Sequence, residues 1–449
     1  MRHEILHRGA NIYLLALWYM PTHVLAGLST HTIKFPTMRS YPDTRLWRTT
    51  LGHQGDEHEH LRETLRAAYN DFHERAALLA GEISRSLPDF TVHDIMHIDA
   101  LWEAADRIAG PGLLISPVEA FVLGGAFLVH DLGLGLAAYP GGEEEVSREP
   151  LWKSELTRLL RNENGRAPTP RQISDAPEAM KRRATAIVLR ELHARQAERV
   201  VGQGWRDPRS GRQVYLIESP ELRDSLGPII GRIAHSHWWG VSQLSSTFVE
   251  RLGAPPRFPG DWDVDPLLIA ALLRVADASQ LDVRRAPGFL FALRQPSKEA
   301  EPHWVFQQHL HTPRVQGDQV VYTSGRPFPE HDADAWWLCL EQLRVLNREL
   351  AQVDQLLADS GRSRFTIRGV RGVEDPARFA KLVHTDGWSP IDVQVGVGDA
   401  VSLVARLGGE QLYGDDPSIA LRELIQTRPT LYARGDSSKT GHPVGARST

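Results

Sequence analysis

The sequence predicts a mainly α-helical protein that continues into a smaller α+β region. Two observations carry this. Six segments before Phe289 hold apolar residues at three- and four-residue spacing, or as long apolar runs behind helix-start signals, while strand-like alternation is scarce there. After Phe289 the pattern changes to strand-like runs around a Gly317-Asp318 turn. At 449 residues, with 41% apolar and 24% charged residues, the chain has room for two or three domains with real cores and the composition of a folded protein.

Residues 1–45 read as an extension. "NIYLLALWYMPTHVLAGL", behind Arg2 and Arg8, has the superficial look of a signal peptide, yet Pro21 and His23 break the apolar run and it is short for a membrane span. Met38 opens more conventional sequence, as though the start codon were placed early. Residues 57–86 then have helical spacing, and a second helix starts near Asp94. "SPVEAFVLGGAFLVHDLG" is a third: Ser116 is its N-cap, Pro117 its first turn, and Glu119 completes a capping box. It is almost wholly apolar and so belongs in a core. Helices four to six lie at 176–201, 219–239 and 265–282, the last also buried in character. "HWVFQQHL" and "QVVYTSGRPF" read as the strands of a hairpin, followed by a long helix from about Asp332 to Leu357 and by strand-like "FTIRGVRGV" and "IDVQVGV".

A net charge of −5 gives no basic field for nucleic acid. The single cysteine, Cys339, allows neither an internal disulfide nor a thiolate cluster, which fits a reducing cytoplasm. A metal here would need imidazole and carboxylate ligands. Two places supply them at a price: His130-Asp131 closes one apolar helix and Asp277 closes another. Burying such groups costs free energy unless hydrogen bonds or a cation compensate, and a metal ion would compensate both.

His97, His130-Asp131 and Asp277, in that order on helices, resemble the signature of the HD-domain metal-dependent phosphohydrolase superfamily, over roughly residues 57 to 290. The resemblance implies a helical bundle in which His97, His130, Asp131 and Asp277 hold a divalent ion, with Asp131 able to bridge to a second. Members with more than one ion add histidines in the interval where His193, His235 and His237 stand; His193 and His235 are assigned to metal on that basis. His235 and His237 would diverge by about 200° on a regular helix. His93 shares a helical face with His97 and is a candidate extra ligand or anchor, with Asp94 as helix cap. The donor set suits Mn, Fe, Co, Ni or Zn, as one or two ions. Asp131, His193 and His237 are the catalytic candidates, the two histidines for protonating the leaving oxygen. Of Arg190, Arg195, Arg232 and Arg274, Arg274 is the one expected to bind phosphate, being set in an apolar run.

"LGGEQLYGDDPSIALRELIQ" resembles the opening helix of a GHKL-type ATPase: Glu423 matches the water-activating glutamate, but Thr427 stands where asparagine is expected. "TRPTLYAR" can be encoded so that a neighbouring frame restores that asparagine, so a frameshift that truncated a longer protein is expected. This order of parts resembles bacterial conflict-type, or defence, proteins. The expected organisation is an extension at 1–45, a helical HD domain at 46–290, an α+β connector at 291–400, in which Trp336 and Trp337 could pack at a junction, and a truncated GHKL-like segment with tail at 401–449. The expected function is hydrolysis of a nucleotide or other phosphate ester by a metal-bound hydroxide. The alternative is a nucleotide-sensing HD module that regulates an attached GHKL ATPase without turnover. The expected partner is a phosphate-containing small molecule, with no membrane or strong nucleic-acid signal; homo-oligomerisation stays open.

Overall fold

A computed structural model describes residues 41–391; the extension up to residue 40, the GHKL-like segment and "DVQVGV" lie outside the described residues. The chain divides into two units, Met1–Ser389 and Pro390–Thr449, and the first holds all the elements that follow. Its helices are α1 Arg45–Arg48, α2 Glu59–Ser86, α3 Ile95–Ala109, α4 Pro117–Val129, α5 Gly142–Ser147, α6 Pro150–Asn164, α7 Pro170–Ser174, α8 Glu178–Val200, α9 Pro220–Ser236, α10 Val241–Thr247, α11 Pro266–Ser279, α12 Gly288–Arg294, α13 Glu301–His309, α14 Ala333–Asp359 and α15 Pro376–Phe379. The six helices expected before Phe289 are α2, α3, α4, α8, α9 and α11. The sequence reading does not place α6, whose Leu156, Leu159 and Leu160 form a satellite core with Ala176 and Ala184.

Helix α4 is the axis of the bundle. Every residue from Pro117 to Val129 is buried, and each large apolar side chain so placed contributes about 1.5–3 kcal/mol. The stretch 117–134 is long and apolar enough to cross a membrane, but 94% of it is buried inside the protein. The capping box at its start forms as the sequence predicts: Glu119 N donates to Ser116 Oγ at 3.0 Å and Ser116 N to Glu119 Oε2 at 2.8 Å. The second oxygen of Glu119 has a further task, accepting from Asp265 N at 2.9 Å. Asp265 is the N-cap of α11. One buried carboxylate thereby pins the starts of α4 and α11 together, and the two helices run to the same depth before ending at His130-Asp131 and Asp277.

Two glycines bring α8 close to this axis. A Cβ on Gly133, just past the end of α4, would stand 2.4 Å from the His193 carbonyl oxygen. One on Gly231 of α9 would stand 2.5 Å from the Glu198 carbonyl oxygen. Only hydrogen at these positions lets the α8 backbone seat against both neighbours, which fixes where His193 and the end of α9 fall.

Strands are short. β1 Gly204–Arg206 pairs antiparallel with β2 Gln213–Tyr215, and β3 Arg314–Gln316 with β4 Gln319–Val321. β4 also pairs in parallel with β6 Gly369–Val370, and β5 Phe328–Pro329 with β7 Thr385–Asp386. The turn at Gly317-Asp318 forms, with Gly317 at φ 64°, but its first strand is β3. "HWVFQQHL", expected as that strand, is helix α13: Trp304, Phe306, Gln307 and His309 are buried, and packing against α14 overrides a short run whose aromatic and β-branched content fits either state. One main core takes in residues from Leu46 to Val383, so the α+β elements share the interior of the helical bundle. Trp336 is a core aromatic there, donating from Nε1 to the Val383 carbonyl at 2.8 Å.

Candidate metal centre

Four helix ends meet at one point. His97 comes from the first turn of α3, positioned by Asp94, whose side chain caps the helix by accepting from Met96 N at 2.9 Å. His130 and Asp131 follow the end of α4, Asp277 lies in the last turn of α11, His193 is in the middle of α8, and His237 caps the C-terminus of α9. His97 and His130 are 2% and 0% exposed.

The ring nitrogens divide cleanly. Each Nδ1 faces a carbonyl oxygen and donates to it: His97 to Gln280 Oε1 at 2.9 Å, His130 to Phe127 O at 2.9 Å, His193 to Arg190 O at 2.5 Å and His237 to Ala234 O at 2.5 Å. That leaves the four Nε2 atoms for the centre, those of His97, His130 and His193 near two carboxylates and that of His237 beside His193. His97 Nε2 is 3.8 Å from Asp131 Oδ2 and 3.6 Å from Asp277 Oδ1; His130 Nε2 is 3.2 Å and 3.6 Å from the same atoms. His193 Nε2 is 3.8 Å from the other Asp131 oxygen, Oδ1, and 2.9 Å from His237 Nε2.

Two groups result, His97–His130–Asp277 and Asp131–His193–His237, the ligand atoms in each lying within 4.8 Å of one another. Asp131 faces both, one oxygen to each. Ligands about 2.1 Å from one ion stand about 3.0–3.4 Å apart, so this spacing suits a shared cation. The sharpest sign is that His97 Nε2 is buried without any hydrogen-bond partner, while His130 Nε2 has only the two carboxylates, at 3.2 and 3.6 Å. Two neutral imidazoles meeting Nε2 to Nε2 at 2.9 Å likewise need a proton or a cation between them.

Electrostatics agree. Burial pushes His97 well below the ordinary imidazole range, helped by the Arg285 guanidinium. It carries His237 down to about 4, with His130 and His193 adding to the effect, and lowers His193 too. Burial opposes charge on His130, but Asp131 and Asp277 reverse it and hold that imidazole well above its usual range. The same contact keeps Asp131 and Asp277 ionised in spite of their burial. Without an ion the centre holds two carboxylates, three imidazoles biased towards neutrality and one, His130, biased towards charge; a divalent ion would displace that proton.

Of the sequence-predicted residues, the structure brings together His97, His130, Asp131, Asp277, His193 and His237. It does not bring His235 to the group. His235 Nδ1 lies 2.6 Å from Glu198 Oε2 and its ring packs 5.2 Å from Trp239. Two residues along a helix is more than half a turn, so only one of His235 and His237 can face α4, and it is His237.

Arg274 is also corrected. Its Nε and Nη2 donate to Glu349 at 2.5 and 3.1 Å, and its Nη1 serves the carbonyls of Ser236, His237 and Trp239. Its charge is answered by Glu349 and most of its donors hold the end of α9 that carries His237. Arg190 lies over the Phe90 ring at 5.1 Å and Arg195 pairs with Glu149 at 3.0 Å. His93 is an anchor and not a ligand: Nδ1 donates to Thr91 O at 2.6 Å and Nε2 accepts from Arg285. Sequence reasoning missed Gln280, which fixes the His97 tautomer, and Trp238, which is 53% exposed with its ring 4.9 Å from that of His193. Gln280 carries no motif; Trp238 is signalled only by the doubled tryptophan after His237.

A family model described as HD-CE matches residues 87–352, more than half of the chain. No curated protein and no solved structure matches.

Proposed function

The chain belongs to the HD-CE family, and on that premise we propose that it is a metal-dependent phosphohydrolase acting on a nucleotide or another phosphate ester with one or two divalent ions. The observation that carries this reading is the set of four imidazoles whose Nδ1 protons are tied to carbonyls and whose Nε2 atoms are left for the centre, three of them near Asp131 and Asp277 and that of His237 beside His193. His97, His130, Asp131 Oδ2 and Asp277 would hold one ion; Asp131 Oδ1, His193 and His237 would hold a second. Divalent ions, when bound, supply Lewis acidity and lower the pKa of water from 15.7 to about 7.

The chain's own residues supply the rest. Hydrolysis forms a bond from a water oxygen to phosphorus and breaks the bond to the leaving oxygen, which takes up a proton. With one ion held, the neutral His193–His237 pair, its Nε2 atoms 2.9 Å apart, can take the proton that the attacking water loses and pass it to that oxygen. With two ions held, both become ligands and the leaving oxygen takes its proton from solvent. Gln280 and the three backbone carbonyls keep the rings aimed in either state. Trp238 offers an exposed aromatic face beside His193 for the organic part of a substrate.

Phosphate release from a panel of nucleotides and simple phosphate esters, with Mn2+ added and Asp131→Ala as control, tests the proposal. Release that the substitution abolishes is the expected result. Nucleotide binding without release would make the protein a sensor instead.

A further inference from the structure

Arg285 carries a buried charge that no carboxylate answers. It ends the 3-10 turn Val283–Arg285 that follows α11, and it is 9% exposed. The other buried arginine, Arg62, has an acid in Asp56, and the neighbouring Arg284 has two, Asp282 and Glu103. Among the described residues Arg285 is in no ion pair. Its one side-chain hydrogen bond runs from Nη2 to His93 Nε2, and its Nε is buried without a partner.

The neighbours explain where that charge sits. Because His93 commits its Nδ1 proton to Thr91 O, its Nε2 is free to accept, and it holds the guanidinium in place without neutralising it. The His93 ring packs against that of His97, centroids 5.7 Å apart, so Arg285 lies on the His97 side of the metal centre. A guanidinium taken out of water and left without a counter-charge costs free energy. The cost is recovered only when an anion arrives, and the planar fork of arginine suits phosphate oxygens.

We propose that Arg285 is the phosphate-binding residue of this protein, its Nε donating to a phosphoryl oxygen of a substrate held against the His97 side of the metal centre. The inference rests on the phosphohydrolase reading for the identity of the anion; the missing counter-charge stands independently of it. It gives Arg285 the role that the sequence suggests for Arg274, and it makes the ligand an anion with at least one phosphoryl group.

The test is calorimetric titration of inorganic phosphate into the Mn2+-loaded full chain, its Arg285→Gln variant and its Arg285→Met variant, alongside Mn2+ binding and thermal unfolding of each. Phosphate affinity is expected to fall about tenfold to a hundredfold in both variants, the loss of one charge-assisted hydrogen bond. Mn2+ affinity should hold or rise, since neither substitution removes a ligand and each removes a positive charge that acts on His97. The unfolding midpoint should change little, because relief of an uncompensated charge offsets the lost hydrogen bond to His93. A purely structural arginine would give the reverse: a lowered midpoint with phosphate affinity unchanged. That pattern, or the absence of phosphate binding by the Mn2+-loaded native chain, overturns the inference; if one variant does not fold, the other decides. Phosphate binding that depends on Arg285, in a protein that hydrolyses no ester, would remove the hydrolase reading and leave this one standing. Ester hydrolysis with unaltered phosphate affinity in the variants would do the opposite.

Discussion

The two halves of the candidate metal centre are built differently. His97, His130 and Asp277 sit where α3, α4 and α11 converge, and α4 and α11 are locked at their far ends by the single buried carboxylate of Glu119. His193 and His237 belong to α8 and α9, beside the exposed Trp238, and depend on two close glycine contacts and on Arg274 at the α9 terminus. The first half is set by the core of the bundle; the second is assembled on its rim. The first should therefore hold an ion more tightly than the second, with Asp131 the one residue common to both.

That contrast can be broken in order of expected effect. Asp131→Ala removes a ligand from both halves, so metal content and phosphate release should both collapse, by more than the roughly hundredfold in affinity that loss of an outer partner costs; elemental analysis and the release assay read this directly. Glu119→Ala removes the shared cap of α4 and α11 and strands buried donors at both helix starts. It should cost about 2–4 kcal/mol in urea unfolding and weaken the tight ion although it lies a helix length away. Arg274→Ala should leave the tight ion in place and weaken only the looser one, by about tenfold to a hundredfold, seen as loss of the second phase of a Mn2+ titration. His235→Ala should change neither phase, and stability by no more than about 0.5 kcal/mol. An effect of Arg274→Ala on both phases would mean that the halves are not separate.

The same contrast governs how much could be read from the chain. The deep half announces itself locally: an almost wholly apolar helix that closes on His-Asp, a second apolar run that closes on Asp, and an N-cap with its box at Ser116 and Glu119 are each contained in one short stretch. Periodicity and capping chemistry are local, and they find it. The rim is decided by contacts between distant residues. The two-residue step from His235 to His237 says that only one of them can face the bundle, but which one depends on how Gly231 lets α9 lie against Glu198 of α8. Arg274 looks like a phosphate ligand because it interrupts an apolar run; Glu349, 75 positions on, claims it. Arg285 is inconspicuous in sequence because its significance is a missing partner, and an absence of counter-charge has no sequence pattern. For the same reason "HWVFQQHL" reads as a strand until α14 is packed against it.

On this reading residues of α3, α4 and α11 share one cation, and residues of α4, α8 and α9 share a second. Anomalous diffraction from a crystal grown with Mn2+ tests it most directly. A peak within about 2.0–2.3 Å of His97 Nε2, His130 Nε2, Asp131 Oδ2 and Asp277 Oδ1 is expected, with a second, weaker peak between Asp131 Oδ1, His193 and His237. A fully loaded crystal with no peak among these atoms, and hydrogen bonds closing the gap between the imidazoles and the carboxylates, would contradict it.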